Sequence, residues 1–414
     1  MKLLILTNHF FPESFRVNDI AFDRLGRGDE VTVLTAIPDY PEGKFHKGYS
    51  LFRRRCERLK VSPDNLICRA GKGEAGIKVV RVPVIPRGSG GKFRMMLHYA
   101  SSVFFFFWYS LYQALFHRYD AVFVHDTSPA FISSPAQRVG RYQKIPVYHW
   151  ILDMWPESLT AGGIDGGWVY NAILNIMKSY YRKDKKIFIT SRGFRKMLVE
   201  RGVPEEKIVY LPNWCDNAVE EKDESVMLPE LPSGFVIMFT GNLGEAQNME
   251  NVLQAAKICS SDKSIHFVFV GDGRKKQWME EYVSKEELRD TVHLVGRYPS
   301  SAMMNFFEKA NVLLVSLNDK LVFNMTLPAK VQSYMVARKP ILGVLKGEGA
   351  DIISEADCGW VVDPNNPQAI ADKIIEISKL PKEELEILGS NGYSYYKSHF
   401  SKEICMKILD ENLM

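Results

Sequence analysis

"FVIMFTGNLGEAQNMENVLQAAK", residues 235–257, opens with six apolar or β-branched residues, turns on Gly241 and Gly244, and then reads as a helix. Strand, glycine turn and helix in that order are the building unit of a parallel, doubly wound sheet. Such a turn also leaves backbone N–H groups at a helix N-terminus open to an anion. The side chains of the turn are Asn242, Glu245, Gln247 and Asn248, with no Lys or Arg. An anion there must be held by neutral donors, by helix ends, or by a cation from another segment.

The same alternation runs on both sides of this stretch. Downstream, "IHFVFVGDG" (265–273), "TVHLVG" (291–296), "NVLLVS" (311–316), "PILGVL" (340–345) and "CGWVV" (358–362) are strand-like. Upstream, so are "KLLILT" (2–7), "EVTVLTA" (30–36), "IKVVRVPV" (77–84), "AVFVHD" (121–126), "PVYHWILD" (146–153) and "KIFITS" (186–191). Helical stretches separate most of these runs. A segment rich in Pro, Asp and Glu lies near 212–234. We therefore expect an α/β chain of two Rossmann-like domains, 1–211 and 235–390, joined by a linker at 212–234 and facing across a cleft. Residues 391–414 are helical in pattern and are a candidate to cross back onto the first domain.

Length and composition agree with this division. A chain of 414 residues exceeds the roughly 250–300 residues at which single cores stop growing. Its six cysteines are scattered without metal-ligand spacing, so reduced thiols and no metal site are expected. The start "MKLLILT" is a strand and lacks the ordered regions of a signal peptide. Residues 1–217 hold 32 Lys and Arg against 20 Asp and Glu, a net of +12, whereas 218–414 hold 21 against 29, a net of −8. The basic half suits an anionic surface, and without a nucleic-acid motif a membrane ranks above nucleic acid.

In open α/β sheets, ligands bind at the carboxyl ends of the strands. Four loops of the second half have binding chemistry there: Gly241, Asn242, Gly244 and Gln247; Gly271, Gly273 and Arg274; Arg297; and Thr326, Leu327 and Pro328, followed by Lys330 and Ser333 in a helix. Each alone reads equally well as a plain turn. Together they predict a nucleotide pocket. In the first half, Asp153 and Glu157 lie in "LDMWPES" (152–158), where the competing reading is the capped start of a helix. His125 and Asp126 end a strand. Arg16 and Asn18 lie in "ESFRVND" (13–19), where Arg16 could instead pair with Asp19. His149, inside a strand, reads as a packed core histidine.

"MMLHYASSVFFFFWYSLYQALF" (95–116) contains 22 residues and no Asp, Glu, Lys or Arg. It approaches the roughly 20 residues that span a bilayer. His98, Gln113 and three serines oppose a span, as does the strand that follows at once. We read it as a helix with one face in the membrane interface, flanked by Arg81, Arg87, Lys92, Arg94, Arg118 and the basic "FRRRCERLK" (52–60). An ordinary core helix is the competitor.

The set "FTGNLGEAQ", "VGDG", "HLVGR" and "LPAKVQSYMVARKP" resembles the family 4 retaining glycosyltransferases, which have the GT-B fold. "FFPESFRVNDIA" (10–21), "TAIPDYPEGK" (35–44), "VPVIPRG" (82–88), "LDMWPES" and "LPNW" (211–214) are similar to the subgroup that builds bacterial surface polysaccharides, of the N-acetyl-L-fucosamine transferase type. The resemblance implies a UDP-sugar donor and an undecaprenyl-pyrophosphate-linked acceptor. It implies peripheral attachment at the cytoplasmic face of the plasma membrane and no cofactor. On this reading the turn residues bind the donor, Arg16, Asn18, His125 and Asp126 are acceptor candidates, with a donor phosphate the other choice for Arg16, and Asp153, Glu157 and Lys330 are catalytic candidates, with acceptor binding the other choice for the two carboxylates. The sequence departs from the family where an Arg and a Lys usually grip the diphosphate, since Asn242 and Gln247 stand there. Met325 and Ser333 fall near the usual pair of glutamates, and Leu152 replaces a His. No Asp-x-Asp occurs, which argues against a metal-dependent transferase fold. A UDP-sugar epimerase of the same architecture and a non-catalytic nucleotide-sugar-binding subunit are the alternatives.

Overall fold

Strand-like runs without polar alternation, such as Leu3–Leu6, can be buried on both faces only in a parallel sheet covered by helices. The computed structural model has two such sheets. It describes all residues except 54, 63–66, 72, 89–90, 163–165, 217–218, 220–221 and 414, and the side chains of 92 and 160–162 are likewise left aside. The chain divides into two units: 1–190, 194–211 and 406–414 form the first, and 191–193 with 212–405 the second. Residues 212–234, expected as a linker, thus belong to the second unit. There Lys222 pairs with Glu308 at 2.7 Å, and the Asp223 N–H donates to Asn305 Oδ1 at 3.1 Å.

The first sheet contains β1 (Lys2–Thr7), β2 (Glu30–Ala36), β3 (Cys56–Val61), β4 (Ile67–Arg69), β5 (Ile77–Val82), β6 (Ala121–Asp126), β7 (Val147–Ile151), β8 (Lys186–Ile189) and β9 (Ile208–Tyr210). Its order is β4-β3-β5-β2-β1-β6-β7-β8-β9. All pairings from β5 to β9 are parallel, and the β3 pairings with β5 and β4 are antiparallel. β3 was not expected, because "CERLKV" is polar at most positions and only Leu59 is buried. It falls in the basic stretch assigned to the membrane. Arg81, counted there as a flanking charge, is fully buried: it pairs with Glu57 at 2.7 Å and donates to the Phe11 carbonyl at 2.5 Å.

The uncharged stretch is a single helix, Lys92–Phe116, and its polarity is inverted. His98, Ser102, Ser110 and Gln113 are buried, whereas Phe93, Met96, Phe104, Trp108, Tyr112 and Phe116 are exposed. Three of these buried polar groups have partners, His98 Nδ1 at the Ile85 carbonyl among them. Ser110 Oγ donates to the Phe107 carbonyl at 2.9 Å, and Gln113 Oε1 accepts from the Tyr119 hydroxyl at 2.6 Å. Among the described residues no helix is long and apolar enough to cross a membrane.

The second sheet is wholly parallel: β10 (Phe235–Thr240), β11 (Ile265–Val270), β12 (Val292–Gly296), β13 (Val312–Ser316), β14 (Ile341–Val344) and β15 (Gly359–Val362), in the order β12-β11-β10-β13-β14-β15. The order reverses direction beside β10, and the glycine turn that follows β10 lies at that point. Helices Met249–Cys259 and Pro367–Ile377 cover one face, packing Leu253, Ala256, Ile370 and Ile374 against it.

Candidate functional site

In the second unit the turns after β10, β11 and β12 are knit by backbone hydrogen bonds. The Gly241 N–H donates to Val270 O at 2.8 Å, that of Leu243 to Asp272 O at 2.9 Å, and that of Gly271 to Gly296 O at 2.8 Å. The glycines are needed for this approach. A Cβ on Gly271 would lie 1.8 Å from the Gly241 carbonyl oxygen, and one on Gly273 2.3 Å from that of Leu243.

Lys330 supplies the cation that the turn lacks. It lies in the first turn of the helix Ala329–Val336, whose N-cap is Pro328. Its Nζ donates to Gln247 Oε1 at 2.5 Å and sits 3.9 Å from the centre of the Phe239 ring. A Cβ on Gly241 would be 3.1 Å from Lys330 Cε. Burial pushes the Lys330 amine down to about 7. No carboxylate is paired with it among the described contacts, so an incoming anion meets a half-buried amine with only an amide and an aromatic face beside it. Lys275, close by in sequence to the second turn, is spent instead on Glu250 at 2.5 Å and Glu245 at 3.1 Å.

The other expected donor residues divide. Asn242, Arg274 and Arg297 are exposed at the strand ends, and Gly244 backs against the Asn242 amide. Thr326 and Ser333 are committed to helix backbone, Thr326 Oγ1 donating to Val322 O at 2.7 Å and Ser333 Oγ to Ala329 O at 3.2 Å. Leu327 is buried and packs without a polar atom to offer.

The first unit corrects several assignments. His125 and Asp126 are completely enclosed. His125 Nδ1 bonds Thr7 Oγ1 at 2.9 Å, and burial pushes the ring down to about 3, so it is neutral. Burial pushes Asp126 up to about 7, and its Oδ2 accepts from Ser133 Oγ at 3.4 Å. Neither is open to an acceptor. Asn18 uses both ends of its amide to pin the loop after β1, accepting from the Phe11 N–H at 3.1 Å and donating to the Glu13 carbonyl at 2.8 Å. Glu157 is buried against Arg201 at 2.5 Å and accepts from the Tyr170 hydroxyl at 2.9 Å, which makes it a structural ion pair. Arg16 lies 4.0 Å from Asp19. Asp153 is half-buried and accepts from the backbone and hydroxyl of Ser128 at 3.2 and 2.9 Å. His149 is enclosed, as a core histidine, between Asp184 at 2.8 Å and Ser133 Oγ at 2.8 Å.

A polar cluster that the sequence did not disclose forms where β1, β2 and β5 end. His9 donates from Nδ1 to Glu13 Oε2 at 2.8 Å, and Glu13 Oε1 accepts the N–H groups of Asp39 and Tyr40 at 2.8 and 2.7 Å. Arg87 Nη2 reaches His9 Nε2 at 3.0 Å, and Arg87 Nε reaches His98 Nε2 at 3.4 Å. His98 Nδ1 bonds the Ile85 carbonyl at 2.7 Å, and burial lowers the pKa of that ring. These partners fix both imidazoles as Nδ1–H tautomers whose Nε2 lone pairs accept from Arg87. The five residues come from four separated segments; Glu13, Asp39 and Arg87 lie in the quoted stretches 10–21, 35–44 and 82–88, but nothing in the sequence brings them together. Two wider grooves lie elsewhere on this unit, one lined by Lys2, Asp29, Lys78 and Arg118, the other by Arg141, Asp184, Lys186 and Lys207. Neither includes a strand-end loop residue of this cluster.

Two α/β units on mainly parallel sheets, one with glycine turns at its strand ends, have the GT-B architecture. Residues 16–214 match the model of the glycosyl transferase 4-like domain and residues 223–395 that of glycosyl transferases group 1, one model for each half of the chain. WbjE of Pseudomonas aeruginosa, whose name is that of a glycosyltransferase, is 28% identical over 276 residues, 63% of this chain and 66% of its own length. The match thus spans just under two thirds of that relative. WcaI of Escherichia coli (strain K12), named for colanic acid biosynthesis, is 24% identical over 306 residues, 70% of each chain. The crystal structure of Anabaena Alr3699/HepE in complex with UDP superposes with a TM-score of 0.67 at 12% identity, covering 100% of this chain and 99% of that one.

Proposed function

We propose that this protein transfers a glycosyl group, with retention, from a UDP-sugar to a sugar hydroxyl on a polyprenyl-pyrophosphate carrier during surface-polysaccharide synthesis. The donor sugar is an N-acetylated deoxyhexosamine of the L-fucosamine type, after the subgroup that the motifs resemble. The observation that carries the reading is the Lys330 amine, paired with no carboxylate among the described residues, at the start of its helix and beside the Gly241 turn. That arrangement suits the leaving diphosphate, whose developing charge is stabilised by oriented donors and one ammonium. UDP in the Anabaena relative supports the choice of nucleotide. The exposed aromatic face of Lys92–Phe116 supports peripheral attachment to the membrane that holds the carrier.

The test is UDP release from UDP-N-acetyl-L-fucosamine and related UDP-sugars, with EDTA, in the presence and absence of lipid-linked acceptor. Release that requires acceptor, with product of retained anomeric configuration, is expected. Isomerisation of the donor without acceptor indicates the epimerase reading. Binding without any turnover indicates a non-catalytic subunit.

A further inference from the structure

We propose that Arg87 is the binding group for the diphosphate of a prenyl-linked ligand, an inference that rests on the lipid-carrier reading above and gives it a site. The observation is how this guanidinium is held. Three other arginines of the first unit are closely paired with carboxylates: Arg81 with Glu57, Arg201 with Glu157, and Arg24 with Asp29 and Asp410. Arg87 instead donates to two imidazole lone pairs, of His9 and His98. Neutral acceptors orient a guanidinium without cancelling its charge, and its remaining N–H groups keep the fork that matches a phosphate. The ion-pair partner of Arg87 is Asp39, whose Oδ1 stands 4.0 Å from Nε while Oδ2 accepts the Arg87 backbone N–H at 2.9 Å, so the pairing is looser than those of Arg81, Arg201 and Arg24. The Glu13 carboxylate is spread over three donors and faces His9. The Arg87 side chain is 20% exposed, so an anion can reach it.

The surroundings point to a lipid-borne diphosphate. Arg87 follows the end of β5, among the strand-end loops where sheets of this kind take ligands. His98 comes from the helix Lys92–Phe116, and less than two turns away on that helix Phe93 and Met96 are exposed. A ligand with its charge on Arg87 therefore finds an apolar strip for its chain on the same helix. The ring of His9 is stacked on Phe15 at 4.6 Å, which holds the second imidazole in place.

The experiment measures binding of farnesyl diphosphate, farnesol and inorganic pyrophosphate to the full chain, with UDP at saturation so that the nucleotide pocket is filled. Wild-type protein should bind farnesyl diphosphate more tightly than either fragment. Arg87→Gln should weaken it by about ten- to a hundredfold, as loss of a charged hydrogen-bond partner does. Arg94→Gln, an exposed neighbour, should change it less than twofold, and the UDP dissociation constant should stay the same in both. Arg87→Lys keeps the charge but cannot bridge two imidazoles and a phosphate, so it should weaken binding several-fold. If Arg87→Gln melts early, that second variant decides. Unchanged farnesyl diphosphate binding in a folded Arg87 variant overturns the proposal. Pyrophosphate binding as tight as farnesyl diphosphate overturns its lipid part. Loss of turnover with intact Arg87-dependent binding counts against the transferase reading alone.

Discussion

In the donor site proposed above, Lys330 would stand alone where the resembled family has a pair of cations. An amine pushed down to about 7 by burial is half neutral near physiological pH. A diphosphate bound there would restore the ammonium by its charge, so UDP binding should take up a proton. The sign follows. UDP affinity should be steady just below pH 7 and fall as pH rises above it, because the free protein then has to be protonated before it binds. Calorimetry in buffers of different ionisation enthalpy, between pH 7 and 9, measures that proton directly; equal heats in all buffers would contradict it. Lys330→Ala should lower UDP affinity by about 1.5–3 kcal/mol and abolish the proton uptake. At the acceptor side, Asp153→Asn should reduce turnover while sparing UDP affinity, since Asp153 lies in the other unit. Glu157→Gln should instead lower the melting temperature, because it strands Arg201 in the interior.

At the scale of elements, the helix Lys92–Phe116 separates two mutations that look alike in sequence. Phe104 and Trp108 are 57% and 53% exposed, whereas Phe106 is 2% exposed and belongs to the core of the first unit. Phe104→Glu with Trp108→Glu should release the protein from anionic vesicles and leave its melting curve unchanged. Phe106→Glu should unfold the first unit, since a lone buried carboxylate costs several kcal/mol. Flotation beside a melting curve checks both. The run of four phenylalanines gives no hint of which ring faces inward: periodicity needs polar residues outside, and here His98, Ser102, Ser110 and Gln113 face inside. The parallel strands were legible because their apolar runs are continuous, with "EVTVLTA", "AVFVHD" and "FVIMFT" coinciding with β2, β6 and β10. The antiparallel strands β3 and β4 at one end of the sheet were not, because they bury little and can be as polar as a loop.

For the whole molecule, the glycine turns and the Lys330 helix of the second unit were readable and the first unit's polar cluster was not. Lys330 and the Gly241 turn announce themselves by glycine spacing and helix starts. His9, Glu13, Asp39, Arg87 and His98 meet only because β1, β2 and β5 end side by side. Conversely, His125 and Asp126 ended a strand as expected but point into the interior, a choice that strand parity alone does not reveal. Net charge acts at this scale too. The half ending at residue 217 carries +12, so adhesion to anionic vesicles should weaken as salt rises from 0.05 to about 0.5 M, while adhesion through the aromatic face persists on neutral lipid. Salt-independent binding to anionic vesicles would remove the electrostatic contribution.

The segment 406–414 belongs to the first unit although nearly two hundred residues of the second precede it. Leu409 and Leu413 are buried there, and Asp410 joins Arg24 and Arg27 at 2.8 Å each. During synthesis the first unit therefore emerges from the ribosome early but lacks a piece of its own packing until 406–414 has been translated. Its nascent form has to wait, with the surface around Arg24 and Arg27 uncovered, while the second unit is made. A stalled or shortened chain that stops at Cys405 would carry a whole nucleotide-binding unit behind an unfinished N-terminal one, and proteases should find the wound in the N-terminal half.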